Sequence, residues 1–430
     1  MNFESFARGI LGIAVLLGIL YLFSSKKKSI DWKLVMWAFL LQVVFAVGIL
    51  HVPLVAAIFD KLSSFFVVVL EFTKQGSGFL FGNLLDVKSV GFIFAFQILP
   101  TIIFFSALTS LLFYLGILQK VVYGLSWLMG KFLRISGAEN LSTTANIFLG
   151  QTEAPLLIKP YLPKMTRSEI LCVMVGGMAN TAGGVLAAYV GFLGGDDPVQ
   201  QLFFAKHLLA ASVMSAPATI LISKMLLPET EAIDEKIEIS EEKIGTNMIE
   251  AIAIGTEDGL KLAFNVGAML IVFIAMIAML NYVLSDILGY YSGLNSVIAE
   301  ATGGQYKGLT MQFILGYACA PFVWLLGVAK SDMVYIGQLL GEKTALNEFV
   351  AYMSLGKMKA EGVLKDPKSI IMATYILSGF ANFSSIGIQV GGIGALAPNK
   401  RATLSELGMK ALLGGTIASL LTATIVGMLT

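Results

Sequence analysis

Two residue types that carry much of protein chemistry are almost missing: the 430 residues include two cysteines and two histidines. Cys172 and Cys319 both lie in apolar stretches, so neither a disulfide framework nor a thiolate metal site follows. His51 and His207 form no HExxH motif and leave too few ligands for a metalloenzyme. No Ser/His pair suggests nucleophilic catalysis, so an enzyme is not expected. Charge is scarce too. Asp, Glu, Lys and Arg make up 13% of the chain, against roughly a quarter in soluble domains. A formal net charge of +1 offers no basic face for nucleic acid. Nor does a basic segment precede the first apolar run. Lys26, Lys27 and Lys28 follow the run Ile10–Phe23, the reverse of a cleaved secretion signal, so that run is expected to remain as a membrane helix.

Apolar sequence takes the place of charge, with 57% hydrophobic residues and a mean hydropathy of +0.82. Crossing the hydrocarbon core takes about 20 apolar residues in a helix. Eight stretches meet that need, near 8–24, 34–51, 92–117, 169–194, 202–227, 262–284, 369–396 and 405–429. A weaker stretch after Pro53, carrying Asp60, Lys61 and Glu71, reads as a helix lying in the interface. Two more apolar regions are interrupted: 119–163 by Gly137, Gly150, Pro155, Pro160 and Pro163, and 309–356 by Gly327, Ala329–Asp332 and Gly341. Interrupted apolar segments read as re-entrant hairpins, tolerated only where protein buries their backbone. The expected fold is an all-α polytopic membrane protein of eight transmembrane helices, two re-entrant hairpins and an interfacial helix.

Lys and Arg near the helix ends set the orientation. With Lys26–Lys28 and Lys33 on the cytoplasmic side, Lys120, Lys131, Arg134, Lys164, Arg167, Lys224, Lys261, Lys400 and Arg401 fall there as well, and both termini lie outside. The loop with Lys357, Lys359, Lys365 and Lys368 is the exception. Seven acidic residues between Glu229 and Glu242 mark a solvated linker, a regulatory role being the alternative. On either side of it, Gly177-Met178-Ala179-Asn180 is echoed by Gly379-Phe380-Ala381-Asn382. Upstream of each, in a broken apolar segment, sits an acidic residue, Glu153 or Glu348. Such internal symmetry with interrupted helices points to a transporter's binding site, and to inverted repeats.

Ionisable groups inside a bilayer are costly and usually line a functional cavity. Gln151, Thr152 and Glu153, between helix-breaking Gly150 and Pro155, offer amide, hydroxyl and carboxylate groups suited to the edge of a heterocyclic base; a capping cluster is the plainer alternative. Glu348 can accept from vicinal hydroxyls, as on ribose, or pair with Lys343. Asn382, Ser384 and Ser385 can face a ligand or bond helix to helix, and Phe380 can cap a sugar face or simply pack. Asn180, Thr181, Asn146 and the carbonyl of Leu149 can supply hard oxygens to a small cation.

The strings Asn146–Pro155, Asn347–Tyr352 and Phe380–Ser385 resemble the signatures of the concentrative nucleoside transporter family. Gly91–Pro100 with Phe104–Ser106, and Gly176–Ala179 with Ala182–Gly183, are similar to that family as well, and the likeness runs from about residue 8 to 429. It implies a homotrimer of eight-helix protomers in a bacterial inner membrane, with two opposed hairpins, working by alternating access. Gln151, Thr152, Glu153, Val185 and Leu270 then fall on the nucleobase, and Glu348, Phe380, Asn382 and Ser385 on the ribose. Asn146, Leu149, Asn180 and Thr181 match the sodium site, although Asn180-Thr181 departs from the family's Ser or Thr followed by Ile. Sodium is the expected coupling ion, a proton the alternative, and no cofactor is expected; a symporter for another small polar solute such as an amino acid is the rival function. The chain divides into scaffold 1–118, first transport repeat 119–227, linker 228–261, scaffold helix 262–284 and second transport repeat 309–430.

Overall fold

A computed structural model describes residues 3–91, 93–236 and 245–430. Phe92 and, from the acidic linker, Glu238, Glu241 and Glu242 fall outside the described residues. Every regular element among the described residues is helical. Eight helical stretches are long and apolar enough to cross a membrane: Glu4–Leu22, Trp32–His51, Pro53–Leu85, Phe94–Tyr114, Arg167–Gly194, Pro198–Leu226, Met248–Gly289 and Pro398–Leu429.

The number matches the sequence reading, but the membership differs in two places. Pro53–Phe81, expected in the interface, is a single 29-residue helix with the length and composition to cross. Its Asp60 pairs with Lys206 at 2.7 Å, so one of the charges that suggested an interfacial position is neutralised against a neighbouring helix. The region 369–396, counted as a span with a break at its Gly-x-Ala-Asn string, is two short helices, Pro367–Leu377 and Phe383–Leu396, and neither alone is long enough to cross. Hydropathy runs straight through this break, because Ser378–Asn382 is short and flanked by apolar residues; the Gly-x-Ala-Asn string is what marks it.

The helix expected over 262–284 also starts earlier. Its charged first turns push a hydropathy boundary to residue 262, yet the helix runs Met248–Asn281 and continues as a π-helical turn to Gly289. Asn247 caps it by accepting the Glu250 N–H at 2.9 Å.

The elements around the two echoed tetrapeptides follow one order. The first set holds α1 (Gly137–Ala145) with irregular turns to Lys164, α2 (Arg167–Ala179), α3 (Gly183–Gly194) and α4 (Pro198–Leu226). After the helix α5 (Met248–Asn281), the second set holds α6 (Met333–Ala345), α7 (Glu348–Ala360), α8 (Pro367–Leu377), α9 (Phe383–Leu396) and α10 (Arg401–Leu429). The echoed glycines show why the two breaks can meet. At Gly379, with φ of +90°, a Cβ would come within 2.6 Å of the Met178 carbonyl oxygen. At Gly177 it would come within 2.9 Å of the Gln151 Cβ. A larger residue would force the two broken helices apart at Gly379, and at Gly177 would push α2 away from the turns after α1.

Among the described residues the linker's acidic side chains Glu231, Asp234 and Glu235 are exposed, but its first residues are docked. Lys224, buried on α4, pairs with buried Glu139 at 2.7 Å and donates to Ser168 Oγ at 3.0 Å. Glu229 reaches the same lysine at 3.8 Å and accepts from Thr166 Oγ at 2.7 Å. Asp234 O accepts the Gly137 N–H at 2.8 Å, tying the linker to the first residue of α1. Burial works against ionisation of Glu229, but hydrogen bonds from Thr166, Glu231 and Thr230 together with the Lys224 charge hold its carboxyl below the ordinary value of 4.5.

Candidate functional site

Each helix break is built by residues that satisfy the backbone locally. After α1, Asn146 closes the helix and the chain turns through Gly150, whose N–H donates to Glu153 Oε2 at 2.6 Å. Pro155 then opens a short 3-10 turn, where its missing N–H costs nothing. In the second set, Asn347 caps α7 by accepting the Val350 N–H at 3.0 Å, which places Glu348 in the first turn at the positive end of the helix. Asn382 caps α9, its Oδ1 accepting the Ser385 N–H at 2.9 Å and the Ser384 hydroxyl at 2.7 Å. That fixes the amide, so Nδ2 points to Glu348 Oε2 and donates at 2.7 Å.

The two sets join directly. Gln151 Nε2 donates to Ser385 Oγ at 3.3 Å, while Gln389 Nε2 bridges Gln151 Oε1 at 3.2 Å and the Met174 carbonyl at 3.0 Å. Between them lies a cavity of about 470 Å³, within the usual range for small-molecule sites. All nine residues expected to face a nucleoside line it: Gln151, Thr152, Glu153, Val185, Leu270, Glu348, Phe380, Asn382 and Ser385. Lys343 does not pair with Glu348, the alternative left open by the sequence. Its three donors go to Ile376 O, Ser378 O and Ser419 Oγ.

The sequence reading missed Asn265 on α5, which also lines the cavity. The signal was present: Asn265 is the single polar side chain between Lys261 and Asn281. Asn347 and Phe349 line the wall as neighbours of Glu348. A narrower cavity of about 90 Å³ reaches Glu153 from the side of Ser106, Ser110 and Asp258.

The residues expected to hold a cation sit where the turns after α1 touch the break between α2 and α3. The Gly183 N–H donates to Phe148 O at 3.2 Å, and a Cβ on Gly150 would meet the Ala182 Cβ at 3.3 Å. Leu149 is buried in this turn with its N–H on Ala145 O at 2.9 Å. Asn146 Oδ1 and Thr181 Oγ are buried with no partner, and so is Asn180 Nδ2. Asn180 Oδ1 lies 2.5 Å from Ser215 Oγ, which is also 2.6 Å from Ser212 O. One hydroxyl proton cannot serve both acceptors. Turning the Asn180 amide resolves the conflict: Nδ2 donates to Ser215, Ser215 donates to Ser212 O, and Oδ1 takes the orphaned position. The residues then present buried, unpaired oxygens, a donor set suited to a small hard cation. No group of three His, Cys, Asp or Glu residues competes for a transition metal among the described residues.

Apolar helices enclosing a cavity of polar groups, with helix breaks supplying the polarity, define a multi-pass membrane transporter. The family "Na+ dependent nucleoside transporter" matches with its C-terminal part over residues 207–427 and its N-terminal part over 11–84, and "Nucleoside recognition" matches 95–196. The nucleoside permease NupC of Helicobacter pylori is 39% identical, covering 97% of this chain and 96% of that protein. Sodium/nucleoside cotransporter 1 of Mus musculus is also 39% identical over 97% of this chain, which spans 63% of that longer protein. The structure of CNTnw in an inward-facing substrate-bound state superposes with a TM-score of 0.88 at 36% identity, covering 98% of both chains. This chain belongs to the concentrative nucleoside transporter family, a family of transporters and not of enzymes.

Proposed function

We propose that this protein is a cation-coupled nucleoside symporter of the bacterial inner membrane, importing nucleosides by alternating access. The observation that carries the reading is the convergence of Gln151, Thr152, Glu153, Glu348, Asn382 and Ser385 on one cavity of about 470 Å³. A nucleoside needs two chemically different ends recognised. Gln151, Thr152 and Glu153 mix donors and acceptors for the edge of a base, with Val185 and Leu270 as its apolar walls. The Glu348 carboxylate, held by Asn382, accepts from the ribose hydroxyls; Ser385 joins it and Phe380 covers the sugar face. Tight packing between the two breaks supports a transport body built from 119–227 and 309–430, moving against a scaffold of 1–118 and 262–284. In that arrangement 119–163 and 309–356 are opposed re-entrant hairpins of inverted repeats, and three protomers assemble through their scaffolds.

Sodium is the coupling ion in this reading, bound by Asn146, Leu149, Asn180 and Thr181. The orphaned oxygens there support it, and the family description names Na⁺ dependence. A proton-coupled reading has one observation in its favour. Among the described residues neither Glu153 nor Glu348 forms an ion pair with a basic side chain; Glu153 accepts from the Gly150 N–H and Glu348 from the Asn382 amide, with the Lys343 charge farther off. The deciding experiment is uridine and adenosine uptake into proteoliposomes with sodium and proton gradients imposed separately. Uphill accumulation driven by sodium supports the symporter. Accumulation driven only by a pH gradient transfers the coupling to a carboxylate. Failure of both nucleosides to compete for transport overturns the substrate assignment.

A further inference from the structure

Lys343 is fully buried on α6, yet among the described residues no carboxylate forms an ion pair with it. Its Nζ lies 2.9 Å from Ile376 O, 2.8 Å from Ser378 O and 3.0 Å from Ser419 Oγ. Two of these are carbonyls at the C-terminal end of α8, where the helix breaks and the last carbonyls have no helical partner. Three acceptors match the three N–H bonds of an ammonium group, since a neutral amine has only two to give. The Ser419 hydroxyl proton is itself turned to Thr416 O at 3.0 Å, so its lone pair is what faces the lysine.

The first set of elements meets the same electrostatic problem with a different solution. There the break after α2 is flanked by Asn180, and Ser215 of α4 leans on it. In the second set the break after α8 leads to Asn382, and Ser419 of α10 stands at nearly the same spacing beyond it as Ser215 beyond Asn180. In the first break, buried oxygens at Asn146 and Thr181 lack any partner. In the second, Lys343 satisfies the freed carbonyls. A helix end that gathers unpaired carbonyls favours a positive charge, from either a free ion or a tethered one.

We propose that the Lys343 ammonium is a tethered cation filling the second break, the counterpart of the free-cation site at the first. With the lysine in place, the second break takes no free cation. This rests on the symporter reading above, and the test separates the two.

Uridine binding to the purified full-length protein is measured as sodium replaces choline, for wild type, Lys343→Ala, Lys343→Met and Asn146→Ala, with thermal unfolding followed in both salts. Wild type should show a sodium dependence of order one. Lys343→Ala opens the site, so its dependence should steepen toward order two, and sodium should stabilise it against heat more than it stabilises wild type. Lys343→Met fills the space with an apolar chain and should gain neither effect. Lys343→Ala that is recovered folded only in sodium also supports the proposal. Recovery in neither salt, a wild-type order of two, or a Lys343→Ala response identical to wild type overturns it. If wild type and Asn146→Ala ignore sodium alike, the coupling reading fails at the first break. The heat-stability response of Lys343→Ala still decides the second.

Discussion

Glu348→Gln isolates the charge of the carboxylate assigned to ribose while leaving its surroundings in place. Glu348 is 3% exposed, and its Oε2 takes a 2.7 Å hydrogen bond from Asn382 Nδ2. A glutamine can keep that bond through its own Oε1, so Asn382 still caps α9 and the break keeps its shape. What disappears is the negative charge at the cavity and the ability to accept from two vicinal hydroxyls at once. A hydrogen bond to a charged group contributes about 1.5–3 kcal/mol, which converts to roughly a ten- to 150-fold loss of affinity. The loss should fall on uridine and spare 2′,3′-dideoxyuridine, which lacks the hydroxyls. Calorimetric titration of both ligands on wild type and variant reads the difference directly, and thermal unfolding checks that the fold is retained. Unchanged uridine affinity, or an equal loss for the dideoxy compound, would refute the assignment of Glu348 to the sugar.

Glu153→Ala should weaken binding unequally across uridine, cytidine and adenosine in competition assays, because their base edges differ in donors and acceptors. It also orphans the Gly150 N–H, now 2.6 Å from Glu153, at a cost of about 1–3 kcal/mol in stability. Asn146→Ala should flatten the sodium dependence of nucleoside affinity while leaving the sodium-free affinity nearly intact, the lost coupling being about 1–3 kcal/mol. Lys224→Met leaves buried Glu139 without its partner at 2.7 Å and should cost about 3–5 kcal/mol, read as a lowered unfolding midpoint. For Glu229 the depressed carboxyl sets the sign: wild type should be more stable than Glu229→Gln above pH 4.5, and the gap should close as pH falls below that value. A gap that widens in acid would show that the ionised carboxylate is not what the linker contact uses.

The sequence by itself determined the class of protein and the chemistry of its centre. Apolar runs must cross a bilayer because no soluble fold could hide them. Gly150, Pro155 and the two Gly-x-Ala-Asn strings mark where helices fail, since glycine and proline act on their own backbone. Glu153 and Glu348 stand out because a carboxylate in an apolar segment is too costly to keep without a use. All of this is local information. Tertiary structure alone decided which groups answer one another. Gln151 meets Ser385 and Gln389 across more than two hundred residues, and Lys343 turns from nearby Glu348 to the carbonyls of a broken helix. Lys224, read from sequence as a cytoplasmic-side charge, became half of a buried pair with Glu139 because α1 and α4 pack around them. The start of α5 escaped hydropathy for a related reason: charged turns such as Glu250–Lys261 remain helical when a cap and a neighbouring helix hold them. Composition records the cost of leaving a group unsatisfied, but the partner that satisfies it is chosen only when distant segments fold together.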